Sequence, residues 1–198
     1  MTYICRLSTK IILKKKLGNI AALRTGVWAK PHLNGDVVYL QAKHFDEEGN
    51  VAAKLHPDLF IEEISQKHFL QPGDIIFAAK GIKNFAAIFE AHNQPAVAST
   101  SFFVISLSDD GVLPEYLAWF LNHTETQKYL KTFARGTSIA SISKSVLEDL
   151  EIPVPDISIQ KTILKISELR KRERTLIREI DELKEQQIQQ KIMNSINK

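Results

Sequence analysis

Between Val37 and Ser106 the chain sets short apolar runs between clusters of turn-forming residues, a pattern that predicts short strands. Val37-Val38-Tyr39-Leu40 is β-branched and aromatic, and Glu48-Gly49-Asn50 supplies a turn before Val51. Leu70-Gln71-Pro72-Gly73-Asp74 predicts a tight turn into the strand Ile75-Ile76-Phe77-Ala78-Ala79. Another turn over Lys80 to Asn84 precedes Phe85-Ala86-Ala87-Ile88-Phe89, and Ala96 to Ser106 predicts one longer strand. From Pro114 the period changes. Proline suits a first helical turn, and Leu117, Phe120 and Leu121 then share one face of a helix over Glu115 to Asn122. A second helix, over Glu125 to Ala134, is expected to stop at Gly136, where a left-handed residue ends it. Strands first and helices later predict an α+β fold: a twisted, mostly antiparallel β-sheet domain with small helices.

The last part of the chain follows a different rule. A proline-pinned strand, Glu151-Ile152-Pro153-Val154-Pro155, is followed by residues 156–198 without a Gly or Pro. A helix is expected to open near Ser158, a plausible N-cap after Asp156. Its seam of Ile159, Ile163, Ile166, Leu169, Leu176, Ile180 and Leu183 steps by threes and fours, interrupted by Glu173 and Gln187. That is heptad spacing, which fits a partner helix better than a broad globular face. Ile188, Ile192 and Ile196 form a separate late stripe. The predicted division is therefore a domain over residues 1–156 and one long coiled-coil-type helix over residues 157–198. A rod of this length cannot bury its seam against a domain at one end, so the seam calls for another helix.

Charge is uneven along the 198 residues, whose formal net charge is only +3. Residues 1–44 carry eight Lys or Arg against the single acid Asp36, whereas residues 45–75 carry seven acids against two bases. The basic first segment, with Lys30, His32, Lys43 and His44, could face phosphates, since Lys and Arg displace counterions from DNA. The alternative is a solvated surface with Lys14-Lys15-Lys16 as a flexible arm. One cysteine, Cys5, forms no intramolecular disulfide framework and no cysteine-rich zinc site. No signal-peptide core and no membrane-length apolar span is present, and the cytoplasm is the expected location.

Catalytic constellations are missing. Neither common glycine-rich phosphate loop occurs, nor an Asn-Pro-Pro-Tyr-type motif for amino methylation. Pro155-Asp156 with Glu182-Leu183-Lys184 meets a loose nuclease pattern, but its halves are separated by most of the predicted helix. His32, His44, His56, His68, His92 and His123 lack a tight metal-ligand pairing. No metal and no cofactor is expected.

Four short motifs, in order, carry a resemblance to a known family. Leu17-Gly18-Asn19-Ile20-Ala21 followed by Gly26 resembles the opening of the target recognition domain of type I restriction–modification specificity subunits. Pro72-Gly73-Asp74-Ile75-Ile76-Phe77, then Lys80-Gly81, resembles its central Gly-Asp-Ile-Leu-Phe…Gly element. Tyr116-Leu117 to Leu121 resembles its late helix, and Ile152-Pro153-Val154-Pro155 through Gln160 its junction with the conserved-region helix. Each motif alone is weak; their shared order is what counts. Two departures stand out. Ile159 occupies a position that is usually acidic in this family, and the chain carries one recognition domain and one helix where members usually carry two, so it resembles half of a subunit.

The resemblance implies a non-catalytic protein that reads one half of a split site in double-stranded DNA. It implies binding to methyltransferase subunits, which carry S-adenosylmethionine and modify adenine, and to a motor–nuclease subunit. The loops expected to contact DNA add Lys80, Lys83, Asn84, Ser99, Thr100, Ser101, Arg135, Thr137, Ser138 and Lys144 to the four residues of the basic segment. Asn84 suits adenine, and Arg135 suits guanine or phosphate. Ordinary strand polarity accounts equally well for Ser99 to Ser101, and a helix stop accounts for Gly136. Ile163, Ile166, Leu169, Leu176, Ile180 and Leu183 would pair with the same helix of a second copy, or with methyltransferase helices. A coiled-coil adaptor whose head binds protein is the competing reading.

Overall fold

Ile75-Ile76-Phe77-Ala78 is apolar at four successive positions and buried at all four, so this strand is covered on both faces. It sits inside a computed structural model that describes residues 13–46, 49–51, 55–81, 84–134 and 141–196. In chain order the elements are β1 (Leu13–Lys16), α1 (Leu17–Ile20), β2 (Ala21–Thr25), β3 (Val38–Leu40), β4 (Ile75–Ala78), β5 (Ala86–Ile88), β6 (Ala96–Ala98) and β7 (Phe102–Leu107). There follow α2 (Pro114–Asn122), α3 (Thr124–Thr132), α4 (Lys144–Glu148), β8 (Glu151–Val154) and α5 (Ile157–Ile196). The chain divides into two compact units, Met1–Ile157 and Ser158–Lys198.

The main sheet has the order β2-β7-β4-β5 and is antiparallel throughout. Alternation sorts its side chains. Ile76 and Ala78 join Val38, Leu40, Ala96, Ala98 and Val104 in one core, together with Phe85 and Phe102. The rings of Phe45, Phe85 and Phe102 meet there at tilted or edge angles, with centroids 5.0 to 6.2 Å apart. The opposite faces of β3 and β6 build a second cluster from Val37, Tyr39, Val97 and Leu59. β5 is an edge strand, and Asn122 at the end of α2 completes it: its amide donates to Ala86 O and accepts from Ala86 N.

The Pro-Gly-Asp turn does more than reverse the chain. Gly73 takes a φ of 92°, open to glycine. Asp74 behind it is buried, accepting from Gln71 N at 2.9 Å, Ser106 Oγ at 2.6 Å and Arg24 Nη2 at 2.8 Å. One carboxylate thus ties β2, β4 and β7 together.

Three expectations are corrected. The single strand predicted over Ala96 to Ser106 breaks at Ser99-Thr100-Ser101, because β6 pairs in parallel with β3 while β7 belongs to the antiparallel sheet. Lys14 to Lys16 form no flexible arm. They lie in β1, paired with β8, and each amine meets an acid: Glu151, Asp109 and Asp149 at 3.2, 2.6 and 2.8 Å. The long helix opens at Ile157, one residue ahead of the predicted cap, and its 40 residues span about 60 Å at ~1.5 Å each. Ile166, Leu169, Leu176, Ile180 and Leu183 on that helix are all exposed, and Ile163 is half-buried.

Candidate nucleic-acid interface

The sheet registers bring separate loops to one end of the fold. Thr25, the last residue of β2, lies opposite Phe103; Ala78, the last of β4, lies opposite Phe102; Ala86 opens β5 opposite Phe77. The connections after β2, after β4 and before β7 therefore leave from the same edge. β3 joins them, since its last residue pairs with Ala98 and Leu40 O accepts from Ser99 N.

Backbone hydrogen bonds knit this edge around the Ser99–Ser101 turn. Gly26 N donates to Phe102 O at 3.0 Å and Val27 N to Ala98 O at 2.8 Å. Ala79 N and Lys80 N both donate to Ser101 O, at 3.0 and 3.3 Å, and Ile142 N donates to Ala79 O at 2.9 Å. A Cβ on Gly26 would stand 2.1 Å from Ser99 O, so only glycine lets the chain pass this close.

The expected DNA-contacting residues separate into three groups. Lys30, Lys43 and Lys80 are exposed and form no ion pair among the described residues, which leaves their ammonium groups open to an anion. Thr100 and Ser101 are half-buried at the turn whose Ser101 carbonyl accepts from Lys80 N. A second group has internal work. Ser99 is buried; Asn84 donates its amide to Ala78 O at 2.7 Å, closing the loop after β4; Lys144 pairs with Glu148 at 3.3 Å. His44 accepts from Gln41 N through Nδ1, and burial first, then the charge of Lys43, holds its pKa below the ordinary histidine value. It is thus a neutral ring at pH 7 and not a cation. His32 packs against Phe60 with centroids 4.9 Å apart, its Nε2 3.8 Å from Glu63. The third group, Lys83, Arg135, Thr137 and Ser138, and with it the helix stop at Gly136, lies outside the described residues. Ser141, just after that segment, bridges to Lys80.

Sequence reasoning passed over Trp28 and Leu33, at 80% and 102% exposure on the loop that leaves this edge at Val27. The available signal was the run from Val27 to Gly35, which has no acid. The lysine run was misplaced instead. β1 precedes α1 and the start of β2, so Lys14 to Lys16 lie at the far end of β2 from the loops, about 14 Å at ~3.4 Å per residue.

Among the described residues no group of three or more His, Cys, Asp or Glu could hold a metal ion, and no helix is long and apolar enough to cross a membrane. A cleft of about 810 Å³ between Ile61–Gln66 and Gln94–Pro95 has Glu62 as its only ionisable wall. Within α5, Glu182 of the loose nuclease pattern lies about 37 Å along the helix from Ile157.

Residues 14–194 match the type I restriction modification DNA specificity domain, and the chain belongs to that family. A protein of Methanocaldococcus jannaschii described as the type I restriction enzyme MjaX specificity subunit is 28% identical over 115 residues, 54% of this chain and 27% of the relative. The S subunit of a type I system from M. genitalium superposes with a TM-score of 0.56 at 16% identity, covering 82% of this chain and 40% of the other. The HsdS subunit from Thermoanaerobacter tengcongensis gives 0.56 at 13% identity, covering 81% and 37%. The shared fold is an α+β domain with a long helix, and this chain spans about a quarter to two-fifths of those relatives' lengths.

Proposed function

We propose that this chain is the DNA-reading component of a type I restriction–modification system, itself without catalytic activity. Residues 1–156 act as the recognition domain and residues 157–198 as the helix that spaces and joins it to its partners. The observation that carries this reading is the convergence of loops at one sheet edge, whose Lys30, Lys43 and Lys80 form no ion pair among the described residues. Rigid strands hold such loops in register, which is what reading base edges in the major groove requires. Methyltransferase subunits would supply the chemistry, and a motor–nuclease subunit would join for restriction, in the cytoplasm.

The exposed α5 seam supports a two-fold pairing with a second copy. Antiparallel α5 helices would place a recognition domain at each end and read an inverted repeat split by a gap. Glu173 and Gln187 would help select the register. A salt series of gel shifts tests the DNA reading. The chain with its methyltransferase partner is expected to lose duplex affinity steeply with salt, and Lys30→Ala, Lys43→Ala and Lys80→Ala each to shallow the slope by about one counterion. A salt-independent interaction, untouched by all three substitutions, contradicts it.

A further inference from the structure

The loop from Val27 to Asp36 is pinned along its length yet presents its largest apolar side chains to water. Val27 bridges to Ser99, and its carbonyl accepts from Tyr39 Oη at 2.9 Å. Ala29 N donates to the same hydroxyl at 3.3 Å, His32 N to Asp58 O and Asp36 N to Leu59 O, both at 2.8 Å. Gly35 presses on the Leu59 backbone so closely that a Cβ would meet Leu59 N at 2.5 Å. A loop fixed this way could have turned Trp28 and Leu33 inward. They are 80% and 102% exposed, and neither belongs to either core cluster of the sheet.

Lys30 and the loop's point of origin together point to the occupant. From Val27 to Asp36 the loop holds Lys30 and His32, and its one carboxylate is the exposed Asp36 at the end away from the Ser99 bridge. Glu63, across the loop, faces His32 at 3.8 Å, which leaves Lys30 as the cation without an ion pair among the described residues. DNA suits this pairing of an unpaired lysine with exposed apolar side chains, because it sets apolar base edges and steps between rows of phosphates. The loop also starts at the Ser99–Ser101 turn, within the edge already assigned to DNA.

We propose that Trp28 and Leu33 are base-contacting residues: the indole and the leucine press on base edges or a base step while Lys30 takes the neighbouring phosphate. Discrimination here comes from shape and apolar contact, not from paired hydrogen bonds. A preformed loop loses little conformational freedom on binding, so these contacts act at nearly full strength. This inference rests on the DNA-recognition reading above.

Tryptophan emission gives the test, because the chain has two tryptophans and Trp119→Phe leaves Trp28 alone. The full chain is titrated with a random-sequence duplex pool and with the duplex enriched from it, while the anisotropy of labelled DNA reports binding independently. The expected result is a saturating change in Trp28 emission on the enriched duplex. Trp28→Ala is expected to weaken that duplex about ten-fold or more and the random pool far less; Lys30→Ala is expected to weaken both. If Trp119→Phe does not fold, the affinity ratio for Trp28→Ala, an exposed position, decides alone. Binding with unchanged Trp28 emission overturns this inference and spares the DNA reading. Emission that responds to the methyltransferase subunit without DNA also overturns it, making the loop a protein contact. No binding to any duplex, with or without that subunit, removes both.

Discussion

Gly26 and His44 show how tightly single residues constrain the loop edge. The Gly26 backbone donates to Phe102 O, and a methyl there would overlap Ser99 O, so Gly26→Ala must push the β2 end away from the turn. We expect a loss of about 1–3 kcal/mol in denaturant unfolding, with weakened DNA binding even where the mutant remains folded. An unchanged midpoint would contradict the close approach. His44 works through its unprotonated Nδ1. Its folded-state pKa lies below the unfolded value of about 6.5, so the unfolded chain takes up the proton first. The stabilisation is complete above that value and declines as pH falls from there towards the folded pKa. NMR titration of the His44 ring is expected to show a midpoint below the ordinary range. A midpoint at or above it contradicts the half-buried, accepting ring.

At the scale of elements, much of the architecture was legible. Proline at 114, the 3.6-residue periodicity after it and the Gly-Pro-free tail located α2, α3 and α5 within a residue or two, because local signals set helix ends. The strand over residues 96–106 was not legible. Both halves are apolar, and only their choice of partner, β3 for the first half and β2 with β4 for the second, a long-range matter, breaks them apart. Charge was legible as composition but not as placement: Lys14 to Lys16 are matched by acids distant in sequence, as the β1–β8 pairing dictates. Replacing all three with Gln is therefore expected to leave the salt slope of DNA binding unchanged, within the error of a gel-shift series. On α5, the exposed Leu176 and Ile177 occupy the middle of the stripe. Leu176→Asp is expected to convert a concentration-dependent dimer into a monomer by light scattering. A wild-type chain already monomeric at roughly tens of micromolar would instead assign the stripe to a different partner.

For the whole molecule, division of labour is the main consequence. The sheet domain ties its loops with backbone hydrogen bonds and offers Lys30, Lys43 and Lys80 without an ion pair among the described residues, which also hold no group of three or more His, Cys, Asp or Glu fit for a metal ion. The candidate site was partly legible, because basic and polar loop residues are visible as composition. Which of them are free to act was not, since that depends on partners such as Ala78 O for Asn84 and Gln41 N for His44. If this edge reads sequence, random-duplex selection with the methyltransferase partner present will show it. One motif is expected to be enriched, with an inverted repeat about a gap if α5 pairs with itself. The enriched duplex should bind about a thousand-fold or more tighter than a scrambled one at physiological salt. A pool that stays random through selection, with enriched and scrambled duplexes bound alike, would contradict it.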